Sequence, residues 1–298
     1  MQLIDQQLAE LLAANPQITL AYLAPSPEGL TLHVHLSSNP APHALHLPAH
    51  LRNQKLALHR GPSLFTLIAP AEDDYPMNDN TECQNEPVQL GCQIQPATGD
   101  WLGTAGAPVK WTDPQGQDHW GILSNWHVMA DSQPKNAAQY QPDRGNPNIL
   151  ARLADSSPVS ATAPNEIDAA IADALIAGHH TIAAAILGFG LPTPDPISAA
   201  PGLAVTKSGR TTGLTSARCS ATNAAVKVGY GNFQATFVGQ DVFQDVAGHF
   251  SDAGDSGSLI LATACRCPCS LLFAGGGTLT IGNPIKKVVS RFNLSFAL

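Results

Sequence analysis

From Val88 to its end, the chain is made of many short apolar runs that recur about every ten residues. Glycine, proline, asparagine and aspartate separate the runs, and the chain contains 25 glycines and 24 prolines. Such runs are typical of β-sandwiches and β-barrels, because each one suits a short, half-buried strand. The exception is the segment from Asn283 to Val289, where we expect Asn283 to cap a short helix and Pro284 to begin it. The pattern predicts a mainly β fold that ends with a short helix.

The first seventy residues have a different pattern. Apolar side chains recur at helical spacing over residues 3–14, and Pro16 ends that pattern. Strand-like runs follow at residues 18–24, 30–36, 55–58 and 63–68. A polar stretch over residues 70–85 then reads as a linker. We therefore expect residues 1–85 to form a small N-terminal α/β domain with its linker.

Charge and hydropathy exclude several classes of protein. The chain has 15 basic and 23 acidic residues, a formal charge of -8, and 44% of it is hydrophobic. This composition argues against disorder, and the scattered basic residues argue against a nucleic-acid partner. The longest apolar run, from Thr181 to Leu191, is about half the length that crosses a bilayer, so we expect no membrane partner. The first residues lack a basic, then apolar, leader pattern, which predicts a cytoplasmic protein unless a leader was removed.

The most informative string runs from Phe250 to Leu261 and contains Gly254-Asp255-Ser256-Gly257. Glycines beside a serine let successive backbone amides point into one small space next to the hydroxyl. An oxyanion hole requires that arrangement. The alternative is a glycine-rich turn that enters a strand.

Two further residues suit the same chemistry. His127 follows an apolar strand-like run, where an imidazole could act as a general base. Asp168 precedes another apolar run, and a buried carboxylate there needs a partner such as an imidazole N–H. Taken singly, the histidine could be structural and the aspartate a turn residue. Together with Ser256 they make the ordered set His, Asp, Ser.

Over residues 90–298 this set and the Gly-Asp-Ser-Gly string resemble the trypsin- and chymotrypsin-like serine peptidases. The resemblance implies a double six-stranded antiparallel β-barrel, with the first barrel over residues 86–185 and the second over 186–298. It implies that Ser256 attacks the carbonyl, His127 moves the proton and Asp168 orients the imidazole. It also implies an oxyanion hole in the loop of Gly254, Asp255 and Ser256, with the first and last amides as donors. The implied substrates are proteins or peptides, and no cofactor or metal is needed.

A second string, from Lys207 to Gly213, is similar to the Arg-Ser-Gly-x-Thr-Thr-Gly segment of the secreted bacterial branch. There the first basic residue pairs with the aspartate that precedes the nucleophile. By resemblance Lys207 would support the loop through Asp255, with Arg210 as the second choice. Such a pair predicts an enzyme that is competent as synthesised. The alternative is two surface cations on a turn.

The string from Leu271 to Gly277 resembles the strand that lines the specificity pocket and binds the substrate backbone. This assigns substrate binding to Ala274, Gly275 and Gly276. The family commonly has a serine at the position of Ala274, and its hydroxyl supports the triad acid. Phe250 stands where trypsin-type enzymes have an aspartate, so we expect a preference for apolar or small side chains.

The arrangement of an early α/β unit before two barrels also resembles a bacterial group of trypsin-like proteins with such an extension. For the unit itself three roles stay open: docking a partner protein, covering the cleft or stabilising the barrels. For the whole chain, the preferred hypothesis is a serine endopeptidase that works through an acyl-enzyme. The alternatives are a peptidase-scaffold protein that binds or cuts only itself, and a metal-regulated protein.

The cysteines and histidines offer weaker signals. Cys265, Cys267 and Cys269 suit either a soft metal or, as we prefer, a hairpin tip. Cys83 and Cys92 could form a disulfide in an oxidising compartment. Six of the eleven histidines lie between residues 33 and 59, where we expect a solvated face rather than a metal site.

Overall fold

The structure is a computed structural model, and it describes residues 3–27, 29–37, 45–71, 78–82, 86–145, 149–174, 181–245 and 249–296. Within these ranges the chain is mainly β, as predicted. The α-helices are α1 (Leu3–Ala14), α2 (Trp126–Met129) and α3 (Ile285–Phe292), and a short 3-10 helix spans Ala49–Leu51. None of the described helices is long and apolar enough to cross a membrane.

The N-terminal residues form one helix followed by short strands, as the periodicity predicts. The strands of this part are β1 (Ile18–Ser26), β2 (Gly29–Leu36), β3 (Lys55–Arg60), β4 (Leu64–Thr66) and β5 (Ala69–Pro70). Alternate residues of β2 point inward, so that Leu32 and Val34 pack under α1. The predicted strand over residues 63–68 is shorter than expected and is followed by a second short strand.

Seven strands build the first barrel. They are β7 (Cys92–Pro96), β8 (Trp101–Ala105), β9 (Ala107–Thr112), β10 (Asp118–Ser124), β11 (Ala138–Tyr140), β12 (Ile149–Ser157) and β13 (Ala169–Ala174). Only Gly106 separates β8 from β9, so these two act as one bent strand that pairs with β7 at one end and β10 at the other. This bend closes a six-stranded antiparallel ring. A separate two-stranded parallel pair consists of β6 (Val88–Leu90) and β14 (Ile182–Ile186).

The second barrel is also a closed ring of six antiparallel strands. They are β15 (Ala204–Gly209), β16 (Gly213–Gly229), β17 (Gln234–Gln244), β18 (Leu259–Ala262), β19 (Cys267–Gly276) and β20 (Leu279–Pro284). The ring runs in the order β15, β18, β19, β20, β17 and β16, and β16 pairs back onto β15. The predicted double six-stranded barrel is therefore confirmed.

The sheet of the second barrel continues into the N-terminal unit, which the sequence pattern does not reveal. Strand β1 pairs antiparallel with β16, with Leu20 opposite Val226 and Ala21 opposite Ala225. Strand β4 pairs with both β16 and β19. Strands β1, β2 and β3 thus extend the sheet of the second barrel instead of forming a separate sheet.

The C-terminal helix α3 is present as predicted, but its cap differs from the prediction. Pro284, not Asn283, occupies the N-cap position, and it makes no side-chain cap hydrogen bond. After α3, strand β21 (Leu294–Ser295) pairs with β9 of the first barrel. An apolar cluster shared by both barrels, including Leu123, Leu259 and Ile285, is buried beneath this helix. These contacts fix the barrels relative to each other, and with them the junction where the candidate site lies.

Candidate active site

His127 and Asp168 lie in direct contact at the junction. The apolar strand β10 leads into α2, which carries His127, and Asp168 directly precedes β13. The imidazole Nδ1 of His127 lies 2.5 Å from Oδ2 of Asp168, and the backbone N–H of His127 donates to Oδ1 at 3.2 Å. Both side chains are almost completely buried. A buried carboxylate with these donors holds the ring in one orientation.

Two asparagines fix the backbone of Asp168. The side-chain amide of Asn125 donates to the Asp168 carbonyl at 2.8 Å. Asn283 accepts the Asp168 N–H at 3.0 Å and donates to its carbonyl, also at 3.0 Å. The residue that we predicted as a helix cap therefore acts across the barrel junction. The Asn283 side chain is engaged by the backbone of Asp168 and does not cap the helix.

A tyrosine supplies a further hydrogen bond to the Asp168 carboxylate. Tyr230, in the turn between β16 and β17, donates its hydroxyl to Oδ2 at 2.6 Å. Burial, and secondly the negative charge of Asp168, raise the pKa of Tyr230 well above its ordinary value, so the phenol stays a donor. Ala274 lacks the serine hydroxyl that the trypsin- and chymotrypsin-like peptidases commonly have at this position. Tyr230 offers the carboxylate a donor from a different element.

Ser256 is buried in the same junction, but its hydroxyl makes its hydrogen bonds to groups other than the imidazole. It donates to the carbonyl of Phe273 at 3.0 Å and accepts the N–H of Leu67, also at 3.0 Å. Among the described residues, Nε2 of His127 is a buried nitrogen without a hydrogen-bond partner. The structure therefore brings His127 and Asp168 together, and it leaves the predicted contact between Ser256 and His127 unmade in this conformation.

The loop before Ser256 presents two amides to one oxygen. The N–H groups of Gly254 and Ser256 donate to the carbonyl of Leu67 at 2.7 and 3.0 Å. Gly254 has a φ of +99°, and a Cβ at this position would collide with the side chains of Thr211 and Arg210, so only glycine fits. The Asp255 amide instead donates to the Asp252 carbonyl at 3.1 Å. Asp255 was predicted as part of the oxyanion hole. Its amide does not donate to the Leu67 carbonyl, and its carboxylate instead binds groups that hold the loop.

Lys207 is the cation that lies against Asp255. Its Nζ lies 3.2 Å from Oδ2 of Asp255, both side chains are completely buried, and Nζ also donates to Thr212 and to the Gly213 carbonyl. The Asp255 carboxylate accepts three further backbone N–H groups, those of Thr211, Thr212 and Asp252. Burial lowers the pKa of Lys207, and the Asp255 charge opposes that shift.

Arg210 takes a different position from Lys207. Its Nε donates to the Gln93 side chain at 2.8 Å, and its guanidinium also contacts Thr211. Lys207 and Arg210 are both buried, so they are not the two surface cations of the alternative hypothesis. Thr104 completes this wall of the site, because its hydroxyl donates to the Gly254 carbonyl at 2.9 Å.

The residues assigned to substrate binding surround an extended piece of the chain itself. Phe250 is buried in an apolar cluster against which Leu67 packs. On β19, Ala274 lies opposite Thr66 and Gly275 opposite Phe65 in an antiparallel pairing with β4. Gly276 lies so close to the Ser63 carbonyl that a Cβ would collide with it.

The cysteine and histidine groups do not form a metal cluster among the described residues. Cys265 and Cys267 form a disulfide at the tip of the hairpin between β18 and β19, where a hairpin tip was predicted. Cys92 is a buried free thiol, and Cys83 lies outside the described residues.

His33, His35 and His59 form a stack of rings rather than the solvated face that we expected. His33 and His59 share a hydrogen bond of 2.9 Å, and both ring nitrogens of His35 are buried without a partner in the described part of the chain.

Comparison with known proteins supports the architecture. No family model matches the chain, and no curated protein matches it. Solved structures do match, and the two described next each cover 70% of this chain. Protease A of Thermobifida fusca aligns over 97% of its own length with a TM-score of 0.51 and 18% identity. A chymotrypsin of Cellulomonas bogoriensis aligns over 97% of its length with a TM-score of 0.50 and 21% identity. At these identities the likeness concerns the backbone, and the chain has the chymotrypsin-like double-barrel fold of bacterial serine proteases.

Proposed function

We propose that the chain is a serine endopeptidase that cuts peptide bonds through an acyl-enzyme on Ser256. The observation that supports this most is the position of the Leu67 carbonyl, which accepts hydrogen bonds from the amides of both Gly254 and Ser256. Two amides aimed at one carbonyl oxygen stabilise the negative charge that develops there during acyl transfer. The nucleophilic hydroxyl lies beside the backbone of the same residue, because it accepts the Leu67 N–H at 3.0 Å.

The proposed mechanism uses the His127 and Asp168 pair as its base. With Nδ1 directed at the carboxylate, Nε2 carries the free lone pair that can accept a proton. In this mechanism the Ser256 hydroxyl first turns from the Phe273 carbonyl toward Nε2. It then adds to the carbonyl carbon, and His127 passes the proton to the leaving amine.

The surroundings of the loop support activity without a new amino terminus. The buried Lys207 holds the Asp255 carboxylate, and with it the loop that carries both oxyanion amides. The pocket wall at Phe250 belongs to an apolar cluster, which favours an apolar side chain over a basic one. Lys207 and Phe250 are therefore proposed as loop support and specificity residue.

A fluorophosphonate reagent, which reacts with activated serine hydroxyls, tests this function. We expect it to modify Ser256 in the full chain over hours, with the position established by peptide mapping. Ser256→Ala should stay unmodified, whereas Ser290→Ala, which removes an exposed hydroxyl on α3, should react like the unaltered chain.

A second candidate is a binding protein on a peptidase scaffold. The hydroxyl of Ser256 turned toward Phe273, together with the peptide in the cleft, favours this candidate. It predicts a folded chain that never reacts with the fluorophosphonate. That result would contradict the peptidase proposal.

A further inference from the structure

Residues 63–70, here called the cleft segment, cross the whole junction between the two barrels. On one side β4 pairs antiparallel with β19, with Thr66 opposite Ala274. On the other side β5 pairs antiparallel with β8, with Ala69 opposite Leu102. An extended peptide bound by strand pairing on both sides of a nucleophile is held as a substrate is held.

The peptide group between Leu67 and Ile68 lies at the centre of this arrangement. The Leu67 carbonyl accepts hydrogen bonds from the amides of Gly254 and Ser256. The Leu67 N–H donates to the Ser256 hydroxyl at 3.0 Å. The Leu67 side chain packs against the apolar cluster of the second barrel that contains Phe250. The Ile68 side chain packs against the core cluster of the first barrel. Each side of the bond is thus anchored in a different barrel.

We propose that the bond between Leu67 and Ile68 is the first substrate of this site, cut within the same molecule, and that the cleft segment closes the site until then. This inference rests on the proposed peptidase function and names its substrate class. That class is an extended peptide with a branched apolar residue before the cut.

The step balances without any reagent other than water. The Ser256 oxygen bonds to the Leu67 carbonyl carbon while its proton passes to Nε2 of His127. The carbon–nitrogen bond to Ile68 then breaks, and the new amine takes that proton. Water hydrolyses the ester to leave the Leu67 carboxylate and restore the Ser256 hydroxyl. Residues 1–67 become a separate chain.

The hydrogen bond from Ser256 to the Phe273 carbonyl makes the uncut state a resting state. Cutting must wait until the hydroxyl rotates, so the reaction is slower than attack from a hydroxyl already bound to the imidazole. Because nucleophile and bond belong to one chain, the rate is independent of protein concentration.

The test follows the purified full chain by intact mass and amino-terminal sequencing over hours to days. We expect a fragment that ends at Leu67 and a second that begins at Ile68, formed at the same rate over a hundredfold range of concentration. Ser256→Ala should stay intact. Leu67→Arg should be cut at least about tenfold more slowly, because its guanidinium would enter an apolar pocket. Leu58→Arg, at an exposed leucine of β3, is the matched control and should be cut normally.

A second variant at the same bond, Ile68→Pro, is followed beside Leu67→Arg. Thermal unfolding of both variants then distinguishes a folded chain that is cut slowly from a misfolded one. Two outcomes overturn the inference and leave the peptidase function standing. One is a chain that reacts with fluorophosphonate but keeps the bond between Leu67 and Ile68 intact. The other is cutting at that bond whose rate rises with concentration or persists in Ser256→Ala. A folded, unaltered chain that keeps this bond intact and neither reacts with fluorophosphonate nor cuts added peptides would instead overturn the peptidase function itself.

Discussion

At the residue scale, the Asp168 carboxylate is held by more donors than the sequence motif predicts. Its oxygens accept hydrogen bonds from the His127 ring, the His127 backbone and the Tyr230 hydroxyl. The Tyr230 phenol comes from the β16–β17 turn, far from Ala274 in sequence. Several donors on one carboxylate hold it in a fixed position against the imidazole.

We expect Tyr230→Phe to lower kcat/KM for peptide hydrolysis by about tenfold. A hydrogen bond to a charged group contributes ~1.5–3 kcal/mol, and its loss weakens the carboxylate's hold on the imidazolium in the transition state. Initial rates on a leucine peptide measure the effect. Tyr140→Phe, on β11, is the matched control and should keep full activity. Equal activity of the Tyr230→Phe variant and the unaltered chain would show that the phenol does not support Asp168.

Lys207→Met should lower the free energy of unfolding by about 3–5 kcal/mol, because it leaves the Asp255 charge buried without its cation. We also expect slower fluorophosphonate labelling, since the loop that carries the oxyanion amides loses its support. Urea denaturation measures the first effect. Lys135→Met, at an exposed lysine, should change the unfolding free energy by less than about 0.5 kcal/mol. Similar values for both variants would contradict a supporting role of the buried pair.

At the element scale, local patterns predicted local structure. Periodicity predicted α1 and the N-terminal strands, and the Gly-Asp-Ser-Gly string located the loop whose amides converge on one carbonyl. Contacts between distant elements were beyond such patterns. Asn283 follows a strand and precedes proline, which locally suits a cap, but its partner Asp168 is 115 positions away. The cleft segment reads as an ordinary strand, because nothing within it specifies which edge it joins.

The strands β2 and β3 carry a histidine stack with a specific response to acid. Rings of His33, His35 and His59 lie against one another, and Tyr22 stacks on His33. Burial, and then the charges of His59 and His33, lower the pKa of His35 to about 4. Burial likewise lowers the pKa of His33, followed by the effect of His59. The folded unit therefore keeps the rings of His33 and His35 neutral at a pH at which the unfolded chain binds protons.

Stability of the N-terminal unit should be constant above about pH 6.5 and should fall as the pH decreases from there toward 4. The sign follows from the lowered pKa values, since acid favours the unfolded form that takes up more protons. Amide hydrogen exchange of β1–β3 between pH 7 and 4 measures this. His35→Leu should flatten the dependence, whereas His50→Leu, at an exposed histidine, should not. An identical pH profile in both variants would contradict the role of the stack.

At the scale of the whole molecule, one sheet joins the N-terminal unit to the barrel that carries Ser256. The helix α1 and strands β1 and β2 share an apolar cluster with Ala225 of β16 and Val238 of β17. The long β16–β17 hairpin also carries Tyr230 in its turn. Docking of the first strands and the geometry of the candidate site therefore depend on the same hairpin.

Ala225→Asp should detach the N-terminal unit, because it places a charge in a completely buried position of this cluster. We expect faster exchange of the β1–β3 amides and higher activity on added peptides, since the cleft segment loses its anchor. Ser220→Asp, exposed on the same strand, is the control. Activity that stays low while the β1–β3 amides exchange quickly would mean that the unit does not govern access to the cleft.

The pairing of β1 with β16 has one more consequence, for timing. A single severed peptide bond removes none of the backbone hydrogen bonds between these strands, so both pieces would remain assembled as a nicked complex. The freshly made carboxylate of Leu67 would still face the amides of Gly254 and Ser256. Cutting of the bond and the onset of activity on other peptides would then be two separate events. The length of the latent period between them depends on how tightly residues 1–67 stay bound.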